Sequence, residues 1–313
     1  MTETDAASHA FVVSGNRARN LRLIDAESLR SLSRRSDAAG LGRLAAHLGA
    51  IGLGAALVQA CFGTVWLVPA MLLHGLTLVS LFAPIHECIH ATAFRNRRLC
   101  KAVGWLVALP TLLNADFYRH FHMAHHKHCQ DPARDPELRP PPPDSRAGYL
   151  LRISGLPYWR ARLQQLFALA LGRFEPFEFI PEGERAAVRR SVLLMLGSYG
   201  AILVASVATG SLAALYFWIL PVLLARPFLQ LYLLSEHTGC SADDDVLRNT
   251  RTTLALWPIR LLMWNMPYHT AHHLYPQIPF HALPKAQALL ADSGMVTASG
   301  YLATNWTLFR TAR

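Results

Sequence analysis

The sequence predicts an all-α integral membrane protein, with about four transmembrane helices in two hairpins and a helical cap on the cytoplasmic side. Three observations carry that expectation: a composition poor in charge, four apolar runs of spanning length, and an uneven placement of arginine and lysine. Of 313 residues, 52% are hydrophobic and only 16% charged, whereas a soluble domain has about a quarter charged. The depletion lies in the middle of the chain and not throughout it, as membrane spans require.

A helix needs about 20 apolar residues to cross the hydrocarbon core. Residues 43–62 and 64–84 supply two such runs joined tightly at Gly63, and residues 191–209 and 211–234 supply two more around Gly210. Each span must satisfy its own backbone hydrogen bonds, so all four are expected as helices. Residues 1–40 read as an N-terminal cytoplasmic tail and 41–313 as a single membrane-embedded domain. Within the tail, Leu21 to Ser33 places leucines at roughly helical spacing with basic residues between. That pattern suits an amphipathic helix on the membrane surface, or a solvated helix packed on the protein. Two shorter apolar stretches, 99–113 and 254–264, cannot span comfortably and read as interfacial or re-entrant segments.

The two hairpin tips carry no arginine or lysine, whereas the tail, residues 91–190 and the stretch after Glu236 carry nearly all of them. By the positive-inside rule, both termini and the long middle segment are expected in the cytoplasm. The formal charge of +10 then faces anionic lipid. It forms no tract of its own, so no nucleic-acid partner is expected. The N-terminus lacks the apolar core of a signal peptide. Five cysteines scattered singly suggest neither a disulfide framework nor a cysteine-rich zinc site.

Most of the 15 histidines lie in tight groups. His86-Glu87-Cys88-Ile89-His90 is an HxxxH, and His122-Met123-Ala124-His125-His126 and His269-Thr270-Ala271-His272-His273 are each an HxxHH. Residues three and four apart share a helix face, so each group presents two or three imidazoles in one direction. An even number of crossings separates the groups, which puts all of them, with Glu236-His237, on one membrane face. Nine candidate nitrogens exceed the needs of one ion. Two ions with four or five imidazoles each fit the count. Imidazole suits iron, zinc and copper, but zinc usually takes four ligands and does no redox chemistry. The set favours a pair of irons handling oxygen. His47 and His74 read as packing residues inside spans, and His9 and His281 as surface. His120 and His128 flank the second group as lesser ligand candidates.

The order HxxxH, HxxHH, HxxHH with hairpins between resembles the membrane fatty acid desaturase superfamily, which also includes hydroxylases and carotenoid ketolases. Further stretches that match are HHKHCQDP from His125, SEHTG from Ser235, NTRTT from Asn249 and NMPYH from Asn265. The resemblance runs from about Leu32 to Pro284. It implies that His86, His90, His122, His125, His126, His269, His272 and His273 ligate two Fe ions, with His237 as an extra ligand outside the boxes and O2 as co-substrate. It also implies that Asn265 holds a metal-bound water or sits just outside the ligands. Asp116, Asp131 and Asp135 could accept hydrogen bonds from the far nitrogens of ligating rings, and Glu87 would stand behind the metal. The first box has three residues between its histidines where some relatives have four, which leans away from acyl-thioester substrates.

The implied activity is oxygen-dependent oxidation of an unactivated C–H in a lipid or acyl chain, as fatty acid desaturation or as hydroxylation or ketolation, with a smaller substrate also open. The expected setting is a bacterial inner membrane. Without a haem motif, an iron–sulfur cysteine set or GxGxxG, electrons are expected from an external donor such as a ferredoxin or cytochrome. Trp105, Trp257 and Trp264 read as interfacial anchors. HECIH also matches the HExxH of zinc proteases, but that reading leaves the other boxes unexplained. A metal transporter would place its ligands near the bilayer midplane, whereas the boxes fall at span ends.

Overall fold

The computed structural model describes residues 22–313, so His9 and the start of the proposed tail helix lie outside the described residues. The described chain is mainly helical: α1 (Ala26–Leu32), α2 (Asp37–Ala60), α3 (Leu67–Val79), α4 (Phe82–Ile89), α5 (Arg97–Ala108), α6 (Ala115–His128), α7 (Arg146–Ile153), α8 (Leu156–Ala170), α9 (Glu182–Thr209), α10 (Leu220–His237), α11 (Val246–Asn249), α12 (Trp257–Leu262), α13 (His269–Leu274), α14 (Leu283–Leu289) and α15 (Tyr301–Thr311). Two short strands, β1 (Arg251–Thr253) and β2 (Val296–Ala298), pair in parallel with Arg251 opposite Val296. That ladder was not legible in the sequence, because three residues carry no usable alternation.

Four helical stretches are long and apolar enough to cross a membrane: Asp37–Ala60, Leu67–Ile89, Glu182–Thr209 and Leu215–His237. Each runs past the expected boundaries at its box-bearing or basic end. The second continues through Pro84 to Ile89, so the first histidine box rides on the span itself. The fourth likewise continues to His237. The second span breaks at Ser80 between α3 and α4, where the Ser80 hydroxyl stands 3.2 Å from His47 Nε2 and bonds the Thr77 carbonyl. A π-helical turn over Leu215–Ile219 precedes α10.

Spans two and four touch almost backbone to backbone. A Cβ on Gly75 would stand 2.0 Å from the Pro221 carbonyl oxygen, so only glycine permits that approach. The second span also packs along the first. Gly210 ends α9 with φ 62° and sends its N–H to Ser206 and Val207 carbonyls, a left-handed cap that glycine adopts without Cβ strain.

The short helices follow their burial pattern. On α5, Cys100, Val103, Gly104 and Val107 are buried, an i, i+3, i+4, i+7 face. Asn114 caps α6 by accepting from Phe117 N–H at 3.0 Å, and donates its amide to Ser191 at 3.0 Å. That pair ties the second box to the third span. His47 and His74 keep packing roles, the latter with Nε2 2.9 Å from the Phe217 carbonyl. Of the tryptophans read as anchors, Trp257 is exposed and Trp105 half-buried, but Trp264 is fully buried. Its indole N–H donates to His47 and its ring packs on Phe280. Trp264 is therefore a core residue, since its position after α12 turns it inward. His281, expected at the surface, is half-buried against Phe280.

Candidate metal centre

The boxes sit on four helices. His86 lies on α4 with His90 at its end, His122, His125 and His126 on one face of α6, His237 at the end of α10, and His269, His272 and His273 on α13. These rings converge into two groups. His86, His90, His122, His126 and His272 hold ligand atoms within 4.8 Å of one another. A second group contains His125, His237 and His273, with Cys129 also in range.

His269 joins the second group through its Nε2, which is 3.0 Å from His237 Nε2. The Nε2 atoms of His122 and His126, and of His126 and His272, are also 3.0 Å apart. Ligands at right angles around an ion about 2.1 Å from each nitrogen stand about 3.0 Å apart. The spacing therefore fits imidazoles gathered around cations. Buried ring nitrogens left without partners, among them both of His86 and the Nε2 atoms of His90, His125 and His273, point the same way. Such atoms are costly unless something satisfies them.

The tautomers follow from the outer contacts. His125 Nδ1 meets Asp135 at 3.0 and 3.1 Å. His237 Nδ1 donates to the Asn249 carbonyl at 3.1 Å. His269 Nδ1 is 3.3 Å from Glu236 Oε1. For His125 and His237 the inner Nε2 is left free to bind a metal, and the partner raises its basicity. Cys129 lies 3.6 Å from His237 Nδ1, the nitrogen already bonded to Asn249, so it faces the outer side of that ring. Burial also pushes His122, His126, His269, His272 and His273 well below the ordinary imidazole value and His90 to about 3. They are held neutral, as ligation requires. Burial works against the charged form of His125 too, but Glu137 and Asp135 together outweigh it and raise its pKa.

Of the three aspartates considered in the sequence, only Asp135 meets one of these rings. Asp131 pairs with Arg134 at 2.6 Å and caps its own turn. Asp116 lies in the first turn of α6, near His120. Glu87 accepts from Thr92 Oγ1 at 2.7 Å and from Phe280 N–H at 3.2 Å, and Asn265 donates to the Phe280 carbonyl at 2.9 Å. Glu87 and Asn265 thus clamp one backbone segment behind the boxes. His120 and His128 belong to neither group and line a neighbouring cleft. Glu137, Glu236 and the Asn249 carbonyl were not assigned from the sequence. Glu137 sits in a proline-rich loop without periodicity, 3.7 Å from His122 and 3.6 Å from His125.

A cleft of about 850 Å³ opens beside the cluster, walled in part by Phe117, Tyr118, Phe121, His125 and His237. Beyond Phe82, Tyr118 and Leu233 a small cavity lies between the two histidine groups, touching His86 and His122 on one side and His125 and His269 on the other.

Residues 64–301 match the family model described as fatty acid desaturase. The chain is also similar to dihydrorhizobitoxine desaturase of Bradyrhizobium elkanii, 31% identical over 253 residues that cover 73% of this chain and 69% of that protein.

Proposed function

The chain belongs to the fatty acid desaturase family, and from that premise we propose that it is a non-haem di-iron oxidoreductase of the membrane that desaturates an unactivated C–H pair in a lipid or acyl chain. The observation that carries this reading is the pair of imidazole groups flanking one small cavity. Nine imidazole donors, more than one zinc accepts, suit two irons. The ligands proposed are His86, His90, His122, His126 and His272 for one ion, and His125, His237, His269 and His273 for the other. Bound there, the irons would supply the oxygen chemistry and take electrons from an external donor such as a ferredoxin or cytochrome.

The chain's own residues do the rest. Asp135 and the Asn249 carbonyl hold ring protons on the outer nitrogens of His125 and His237, and Glu236 stands 3.3 Å from that of His269. Phe82, Tyr118, Leu233 and Met266 share the walls of the small cavity with Glu137, Glu236 and histidines of both groups, so an apolar carbon chain reaching it from the cleft would meet both groups. Glu87 is engaged by Thr92 and Phe280, which suits a bracing role better than that of a protease base. Asp116 and Asp131 are not proposed to act at the metals, and Asn265 is proposed to position the clamp. We place 1–40 as a cytoplasmic tail, 41–313 as one membrane domain with two hairpins, and the histidine cap and C-terminus in the cytoplasm. The arginine-free turns at 61–66 and 210–214 support that orientation.

Desaturation is favoured over hydroxylation by the similar protein named a desaturase. The test is to supply reduced, iron-loaded enzyme with lipid extract and O2. A product lighter by two hydrogens is expected. A product heavier by one oxygen would replace desaturation by hydroxylation, and turnover without O2 would remove the oxidative reading.

A further inference from the structure

The cleft that leads to the metal centre has a second chemical feature at its far side. Arg226 lies within the fourth span and is 4% exposed. A cation at that depth in an apolar helix is costly and marks function by default. Among the described residues no carboxylate pairs with it. Its Nη2 bonds the neutral Gln230 amide, its Nε has no partner, and its guanidinium lies 3.3 Å from the Tyr158 ring centroid. Arg162 approaches the same ring, 5.0 Å from the Tyr158 centroid, and bonds the amide oxygen of Gln165 and the Tyr158 side chain. Its Nε is likewise buried without a partner. Space has been made for this arrangement. Gly155, at φ 76°, lies so close that a Cβ would stand 2.6 Å from Arg226 Cγ.

All of these side chains line the cleft that His125 and His237 also line. Arg226 and His237 are eleven positions apart on α10, roughly 16 Å of helix. Between them runs an aromatic wall: Arg162 is 5.9 Å from the Phe117 ring, and Phe117, Phe121, Tyr118 and His122 follow at 5.9, 6.3 and 5.2 Å. Of the carboxylates that line the cleft, Asp135 and Glu137 sit at the histidine end. One end of the cleft thus holds two guanidiniums without a carboxylate partner among the described residues, aromatic rings lie between, and the histidines stand at the other end. The two arginines also outweigh burial at Tyr158 and bring its phenol below its ordinary value.

We propose that Arg226 and Arg162, with Tyr158, Gln165 and Gln230, form an oxyanion-binding subsite that anchors the anionic head group of the substrate while its carbon chain extends along the aromatic wall to the histidines. The inference deepens the oxidative reading of the site and rests on it for the reacting end only. A carboxylate of a free acid and a phosphate ester share the required chemistry, since guanidinium binds both in bidentate fashion.

The test is binding by the purified full-length protein in detergent, with dodecanoate, dodecyl phosphate and methyl dodecanoate as probes, before and after chelation of metal. The expected result is that one of the two anions binds about tenfold or more tightly than the neutral ester, as loss of a charge-assisted hydrogen bond implies. The preference should persist without metal and vanish in Arg226→Gln and in the less buried Arg162→Gln. Preference for dodecanoate assigns a free acid, and preference for dodecyl phosphate assigns a phospholipid head. Equal binding of all three probes by the wild-type protein overturns the proposal. So does an unchanged preference in folded Arg226→Gln and Arg162→Gln variants. Because binding is read without turnover, failure of the di-iron reading would show in metal content and product and not here.

Discussion

The two histidine groups are built differently. In the second, two of four rings are hydrogen-bonded from behind, His125 to Asp135 and His237 to the Asn249 carbonyl, and His269 has Glu236 only as a neighbour at 3.3 Å. In the first, His86 has neither nitrogen bonded and His272 Nδ1 is unpartnered, while His122 Nδ1 has only the Tyr118 hydroxyl at 3.5 Å and Glu137 at 3.7 Å. The first group is held by mutual ring packing, with His86 centred 4.4 Å from His122 and 4.5 Å from His272. One site is fixed by hydrogen bonds from outside, the other by burial and by the ion it would hold. Such a difference gives two ions unequal sensitivity to changes around them.

The largest effect should come from removing a ligand from each group. His125→Ala with His272→Ala is expected to abolish both metal binding and turnover, and retention of both metals would erase the two-group comparison. Asp135→Asn should come next, costing about 10- to 100-fold in affinity for the second ion or in activity, read by metal titration. The first ion should stay bound. Glu137→Gln, which alters only the longer contacts, should cost less than Asp135→Asn by the same titration. An equal loss would mean that Glu137 braces both groups.

Acidification sharpens the contrast further. A proton competes with the ion for the same ring nitrogen. The raised pKa of His125, above the ordinary 6.5, makes affinity at the second group begin to fall at higher pH. At the first group His90 resists protonation to about 3. Iron release followed across pH should therefore show the second group yielding first. The smallest effect tests the frame that both groups share. Gly75→Ala forces spans two and four apart and should destabilise the fold by about 1–3 kcal/mol in thermal unfolding, without selecting either ion.

How much of this was legible follows from where the signals lay. The four spans and the three boxes were readable because hydropathy and the i, i+3, i+4 spacing are local patterns. His237 was reachable only because Glu236-His237 closes a span. Which ring belongs to which group was not readable: His126 of α6 faces His272 of α13, 146 positions away, while its neighbour His125 faces the other group. The bracing atoms were hidden for a related reason. Asp135 resembled Asp131 and Asp116 in sequence, and only the turn after α6 decides which of them reaches a ring. Trp264 was misplaced because an aromatic at the end of a short apolar segment reads as an interfacial anchor, and its inward turn depends on His47 of the first span. Arg226 stands inside an apolar run, where an overall hydropathy signal masks it.

The most direct test of the central claim is metal content per chain of the purified protein, with Mössbauer spectra of iron-57-grown material. Two irons per chain in two distinguishable environments, one of them altered by Asp135→Asn, is the predicted result. A single zinc and no iron in demonstrably folded protein would contradict it.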